Sequence, residues 1–195
     1  MKHPATAPLC AVILAGGRGT RMGGMDKAML PFGDMRMVDH VAARIGQQVA
    51  HLAINANGDP ARFAPLDLPV LPDPLPDHPG PLAGIIAGMD WAAALGASHV
   101  ISVAVDTPYF PVDLVARLSP AGFAFAQSSD DGRMHPTFGN WPVALRDSLF
   151  AALQRGERKM GLWAQQAGAS PLPFPRAQAF HNINTPEDMP ATRPA

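Results

Sequence analysis

The chain has 195 residues with 15 Lys and Arg against 16 Asp and Glu, a net charge of −1, so it offers no broad basic face for nucleic acid, and an anionic ligand must be met by a local pocket. Its apolar fraction of 47% suffices for a substantial core in a single domain, while charged residues make up only 16%, below the roughly 25% usual for soluble domains, and 22 prolines imply many ordered loops. The lone cysteine, Cys10, excludes an intrachain disulfide and a thiolate metal cluster, and no apolar stretch approaches the roughly 20 residues of a membrane-spanning helix, which makes a cytoplasmic enzyme the default.

The opening MKHPATAP lacks the apolar core of a signal peptide, and the run Leu9 to Leu14 is short, continuous and rich in Val, Ile and Leu, as a buried strand is. That run delivers a loop: Val12 to Lys27, VILAGGRGTRMGGMDK, holds five glycines, two arginines, an Asp and a Lys. Glycines let the backbone approach a ligand and turn successive N–H groups onto anionic oxygens, while Arg21 and Lys27 supply full positive charges. Neither familiar phosphate loop fits, because Met25 stands where a Walker loop needs Lys after Gly19 and Gly24, and Met22 stands where a dinucleotide fingerprint needs a third glycine.

Further along, Val38, Val41, Ala42, Ile45 and Val49 recur at helical spacing, which predicts a helix over Met37 to Val49. A strand, His51 to Ala56, follows and ends near Asn55, a position that suits either a ligand contact at a strand tip or the turn Asn57-Gly58-Asp59-Pro60 itself. Leu68 to Leu71 reads as a short strand ending at Pro72-Asp73, and the proline-rich segment 74–81 leads through Gly80 and Gly84 into a helix, Leu82 to Leu95.

Val100 to Val105 is the best central parallel strand in the chain. It ends on Asp106, a carboxylate that needs a partner, solvent or a cation; Mg²⁺ beside a phosphate loop and an N-cap are both open, although Pro111-Val112-Asp113 looks like the start of the following helix to Leu118. Gly122 to Gln127 and an antiparallel Thr137 to Trp141 are expected strands, with His135 between them either a general base or a structural residue. A helix is expected from Pro142 to about Arg155, followed by a basic group, Arg155, Arg158 and Lys159. Near the end, Asn182 and Asn184 alternate on one face of an extended segment, so both carboxamides can enter one cleft, and Thr185-Pro186 opens a helix. Strands alternating with helices give an α/β fold, a three-layer αβα sandwich around a mostly parallel, Rossmann-like sheet.

The segment Leu14 to Lys27, LAGGRGTRMGGMDK, resembles the signature loop of the molybdenum cofactor guanylyltransferases, in the MobA-like nucleotidyltransferase family, and the resemblance extends over about residues 10–189. Related cytidylyltransferases and many sugar-phosphate enzymes usually carry LAAG in place of LAGG. The resemblance implies a sheet of the nucleotide-diphospho-sugar transferase type with one antiparallel strand. It implies GTP and molybdopterin as substrates, Mg²⁺ as cofactor, and molybdenum-insertion proteins, molybdoenzymes or their chaperones as partners. By resemblance, Arg21, Lys27 and Asp106 are the catalytic candidates, and Leu14, Ala15, Gly16, Gly17, Asn55, Asp73, Gly80 and Gly84 join Lys27 and Asp106 in holding the nucleotide. Asp106 in VDTPY would hold the metal, His135-Pro136 would line the acceptor half, and Asn182 and Asn184 in NINTPED would close over metal or acceptor. The basic group after residue 154 would face the pterin phosphate. Pro190 and Pro194 depart from the family's long terminal helix. A cytidylyl- or sugar-phosphate transferase and a non-catalytic cofactor carrier are the alternatives.

Overall fold

The computed structural model describes residues 7–16, 26–75, 80–175, 177–184 and 188. The first strand, β1 (Cys10–Leu14), is buried along its whole length. After the loop, the chain makes a small hairpin, β2 (Pro31–Phe32) and β3 (Met35–Arg36), whose turn places Gly33 at φ 62°, a backbone state that favours glycine. Helix α1 (Met37–Gly46) starts with Asp39 folded back on Arg36, accepting its backbone N–H and pairing with its guanidinium. It stops short of the expected Val49 because Gln48 turns back, its Nε2 donating to Arg44 O while its Oε1 accepts from Val115 N.

Strand β4 (His51–Asn55) and the two-residue β5 (Val70–Leu71) precede α2 (Pro81–Ala94), which is buried along most of its length. Then come β6 (His99–Ala104), α3 (Leu114–Leu118), β7 (Ala124–Ser128), β8 (Met134–Pro142), α4 (Arg146–Gln154), α5 (Met160–Gln166) and β9 (Ser170–Phe174). The expected helix from Pro142 opens instead as a 3-10 turn, Val143–Leu145, before α4. Sequence reasoning had no place for α5 or β9.

Seven strands form one sheet in the order β5-β4-β1-β6-β8-β7-β9. Every neighbouring pair is parallel except those made by β8, which runs against both β6 and β7. Beyond β8 the outer edge is blunted: Ser170 N–H donates to Phe123 O, so alternation turns Pro171 and Pro173 outward, where a strand without N–H groups cannot recruit another.

The sheet separates two apolar layers, and β1 feeds both by alternation. Ala11 and Ile13 join α1, α3 and the rings of Phe110, Phe138, Phe174 and Phe180; Cys10, Val12 and Leu14 join α2, α4, α5, Trp141 and Trp163. The result is the three-layer αβα sandwich, and among the described residues β8 is the one strand of the seven-stranded sheet that runs against its neighbours. Because the chain order reverses on either side of β1, the carboxyl ends of β1, β4 and β6 mark the switch point at which such sheets bind ligands.

Candidate functional site

Register brings the tips together. Leu14 pairs with Asn55 of β4 on one side and with Ala104 of β6 on the other, so the loop after β1 leaves the sheet between Asn55 and Asp106. Strands two apart lie about 10 Å from each other, so the tips of β4 and β6 flank a span of about that width. Ala15 N–H is spent on Asn55 O at 2.9 Å and Leu14 O on Val105 N, so backbone donors for a phosphate begin at Gly16. Gly17 and Arg21 lie outside the described residues, as do Thr185, Pro186 and the chain after 188.

At the β6 tip, Asp106 meets residues from two distant segments. Lys27 sits in a 3-10 turn whose start is capped by Asp26, which accepts from Ala28 N. Its ammonium donates to Asp106 Oδ2 at 2.9 Å and to Asn184 Oδ1 at 2.5 Å. Thr107, fully buried, donates its hydroxyl to Asn182 Oδ1 at 2.9 Å and lies 3.4 Å from Asp106 Oδ1. Between the two asparagines, Ile183 N–H donates to Asp106 O, and its side chain is buried with Leu30, Phe32 and Met37. The segment 182–184 is therefore a strap pinned at its middle, with Asn182 linked to Asp106 through Thr107 and Asn184 through Lys27. Asp188 extends the pin by accepting from Asn184 N.

Among the described residues no group of three or more His, Cys, Asp or Glu side chains is placed to hold a metal ion. The donor set around Asp106 is instead one carboxylate with carboxamide oxygens. That set suits Mg²⁺, which keeps waters and substrate phosphates as its other ligands, and the Lys27 ammonium already seated on two of these oxygens is a stand-in cation.

At the β4 tip a second polar group forms. Asn55, buried, donates through Nδ2 to Leu71 O at 3.1 Å and to Asp73 Oδ1 at 2.9 Å. Asn57 donates to Asp73 Oδ2 at 2.7 Å and accepts from Asp73 N at 2.9 Å, so the two carboxylate oxygens of Asp73 are tied to the end of β4 and to the turn after it. Gly84 of α2 lies directly over Asn55, and a β-carbon at Gly16 would stand 3.2 Å from the same carboxamide oxygen. Gly80 precedes α2 at φ 147°, a conformation in which glycine is favoured.

His135 stands apart from both groups. It shares a hydrogen bond of 2.7 Å with Ser128 Oγ and stacks on Phe180 at 4.4 Å; burial lowers its pKa from the ordinary 6.5, with Arg133 adding to the shift and Asp131 opposing it. The basic group lies in the turn between α4 and α5, where Glu157 accepts from the backbone of Arg158 and Lys159 and Arg158 Nη1 donates to Leu153 O. Sequence reasoning missed Asn57, Thr107 and Asp26 as supports. Asp26 had a readable signal, an Asp two residues before a backbone N–H it could cap. Thr107 had none, because its partner is 75 residues away.

The family model of the MobA-like NTP transferase domain matches residues 11–169. A molybdenum cofactor guanylyltransferase of Cereibacter sphaeroides is 51% identical over 183 residues, 93% of this chain and 93% of its own. Another, from Acidiphilium cryptum, is 44% identical over 193 residues, 98% of this chain and 97% of its own. Among solved structures, molybdopterin-guanine dinucleotide biosynthesis protein A from Archaeoglobus fulgidus superposes with a TM-score of 0.68 at 21% identity, covering 92% of this chain and 94% of that one, which is a likeness of fold.

Proposed function

This chain belongs to the family of MobA-like NTP transferases, and we propose that it transfers GMP from GTP to the phosphate of molybdopterin, releasing pyrophosphate and forming the molybdopterin guanine dinucleotide cofactor. The observation that carries this reading is the meeting of Lys27, Asp106 and Asn184 at the tip of β6, beside the loop that leaves β1. The name shared by relatives 51% and 44% identical supports guanylyl in preference to cytidylyl transfer.

In this reading, the terminal phosphate oxygen of molybdopterin attacks the α-phosphorus of GTP in line. A new P–O bond forms as the bond to the β-phosphate oxygen breaks and pyrophosphate departs. The attacking oxygen is already anionic, so no strong base is required, and His135, whose pKa burial lowers, would line the acceptor side without moving a proton. Catalysis then comes from placement and charge neutralisation.

The N–H groups from Gly16 and Gly17 onward, together with Arg21 and Lys27, offset charge on the triphosphate and the leaving pyrophosphate. Asn55, Asp73 and the Gly80–Gly84 segment hold the nucleoside. Asp106 would hold Mg²⁺, with Asn182 and Asn184 beside it, and the ion when bound neutralises phosphate charge. Molybdenum-insertion proteins, or the molybdoenzymes and their chaperones, would receive the product, and the cytoplasm is the proposed place of work. None of the described helices is long and apolar enough to cross a membrane.

The test is to incubate the purified protein with molybdopterin, Mg²⁺ and each of the four nucleoside triphosphates in turn. Pyrophosphate release with GTP alone is expected. Release with CTP or UTP in its place would move the assignment to a different nucleotidyltransferase, and GTP left intact would leave only a carrier.

A further inference from the structure

One ammonium ties three remote parts of the chain together. Lys27 comes from the turn after the glycine-rich loop, Asp106 from the tip of β6 and Asn184 from the C-terminal strap, and the Lys27 Nζ donates to the last two at 2.9 and 2.5 Å. These are oxygens that the proposed function offers to a divalent cation. We infer that Lys27 is an internal counter-cation that guards Asp106, excluding free divalent ions and yielding the carboxylate only to a metal that arrives with a triphosphate. The inference rests on the assignment of Asp106 as metal holder.

A dication brought to Asp106 would stand within a few ångströms of a fixed positive charge, in a setting where the Lys27 and Asp106 side chains are only 30% and 20% exposed and water screens poorly. Moving Lys27 aside would relieve that repulsion at the loss of both of its hydrogen bonds. A triphosphate changes the balance, because its oxygens accept from the displaced ammonium and ligate the metal together. The strap does not depend on Lys27, since Ile183 N–H on Asp106 O and Thr107 on Asn182 remain, so the lysine's flexible stem can swing while the site keeps its shape.

Titrating Mn²⁺ into the nucleotide-free protein, with free Mn²⁺ followed by electron paramagnetic resonance, tests this directly. K27M and K27Q are expected to bind Mn²⁺ at least tenfold more tightly than the wild type. K27R, which keeps the charge, should bind as weakly as the wild type, and adding D106N to K27M should erase the gain. Should K27M melt below the assay temperature, K27Q, which keeps a polar group against Asn184, carries the same comparison. The inference is overturned if K27M and K27Q bind no more tightly than the wild type, if K27R gains as much as they do, or if the gain survives D106N. No nucleotide or pterin is present, so a negative result leaves guanylyl transfer standing; that reading is decided by the pyrophosphate assay.

Discussion

A β-carbon added at Gly84 would stand 2.2 Å from the Asn55 carboxamide oxygen and 2.7 Å from its Cγ, so the approach of α2 to the tip of β4 depends on the missing side chain. Gly84→Ala has to push Asn55 aside and break its bonds to Leu71 O and Asp73. Overpacking of this kind costs roughly 1–3 kcal/mol. Lower stability by denaturant titration is expected together with a higher KM for GTP in pyrophosphate release, while an unchanged KM would separate Asn55 from the nucleoside.

The strap gives a second expectation. Ile183, between the two asparagines, is fully buried with Leu30, Phe32 and Met37. Ile183→Ala should cost about 2 kcal/mol or somewhat more, as large-to-small changes in cores do. It should also lower kcat at saturating GTP, because Asn182 and Asn184 lose the side-chain packing that backs the Ile183 N–H bond to Asp106 O. Equal kcat in wild type and variant would show that the strap plays no part in turnover.

Ser102 joins the central strand to the antiparallel one. Its hydroxyl accepts from Trp141 Nε1 at 2.7 Å and donates to Thr137 O at 2.8 Å, inside the irregular stretch of β8 where pairing to β7 jumps from Gly139 to His135. Ser102→Ala leaves the buried Trp141 Nε1 unpaired, at a cost of roughly 1–3 kcal/mol, and removes the bond to Thr137 O. The expected readout is a clear fall in urea midpoint with the m-value unchanged.

His135 makes stability depend on pH. Burial first, then Arg133, lowers its folded pKa from 6.5, and Asp131 opposes them. Above that value the ring is neutral in both states. As pH falls below it, the unfolded chain takes up a proton that the folded ring refuses until a lower pH, so unfolding free energy falls through that window and then levels. His135→Gln should flatten this part of the curve without abolishing it, because burial lowers the pKa of His99 in the same direction. A variant with the wild-type slope would clear His135 of the effect.

The parallel half of the sheet was legible because β1, β4 and β6 are mainly apolar runs, β1 and β6 buried along nearly their whole length, and are punctuated by Gly, Asn or Asp. β9 was not, since SPLPF places two prolines in five residues and reads as loop unless its edge position is known. α5 has only seven residues, and a stripe of Met160, Trp163 and Ala164 is too short to establish a period. At the site, Lys27, Asp106 and the asparagines were legible as chemistry, each a polar group at the end of an apolar run or in a patterned motif. Their contacts were not, for Lys27 and Asp106 are 79 residues apart and Lys27 and Asn184 are 157 apart. Asn57 read as a turn residue, and only the fold reveals that its carboxamide grips Asp73.

The most direct measurement is pyrophosphate release from GTP and molybdopterin by Asp106→Ala, with folding checked by thermal melting. Loss of cofactor formation by at least a thousandfold, with the protein still folded, is the expected result for a carboxylate that organises the metal-bound triphosphate. Turnover near that of the wild type in a folded Asp106→Ala protein would contradict it.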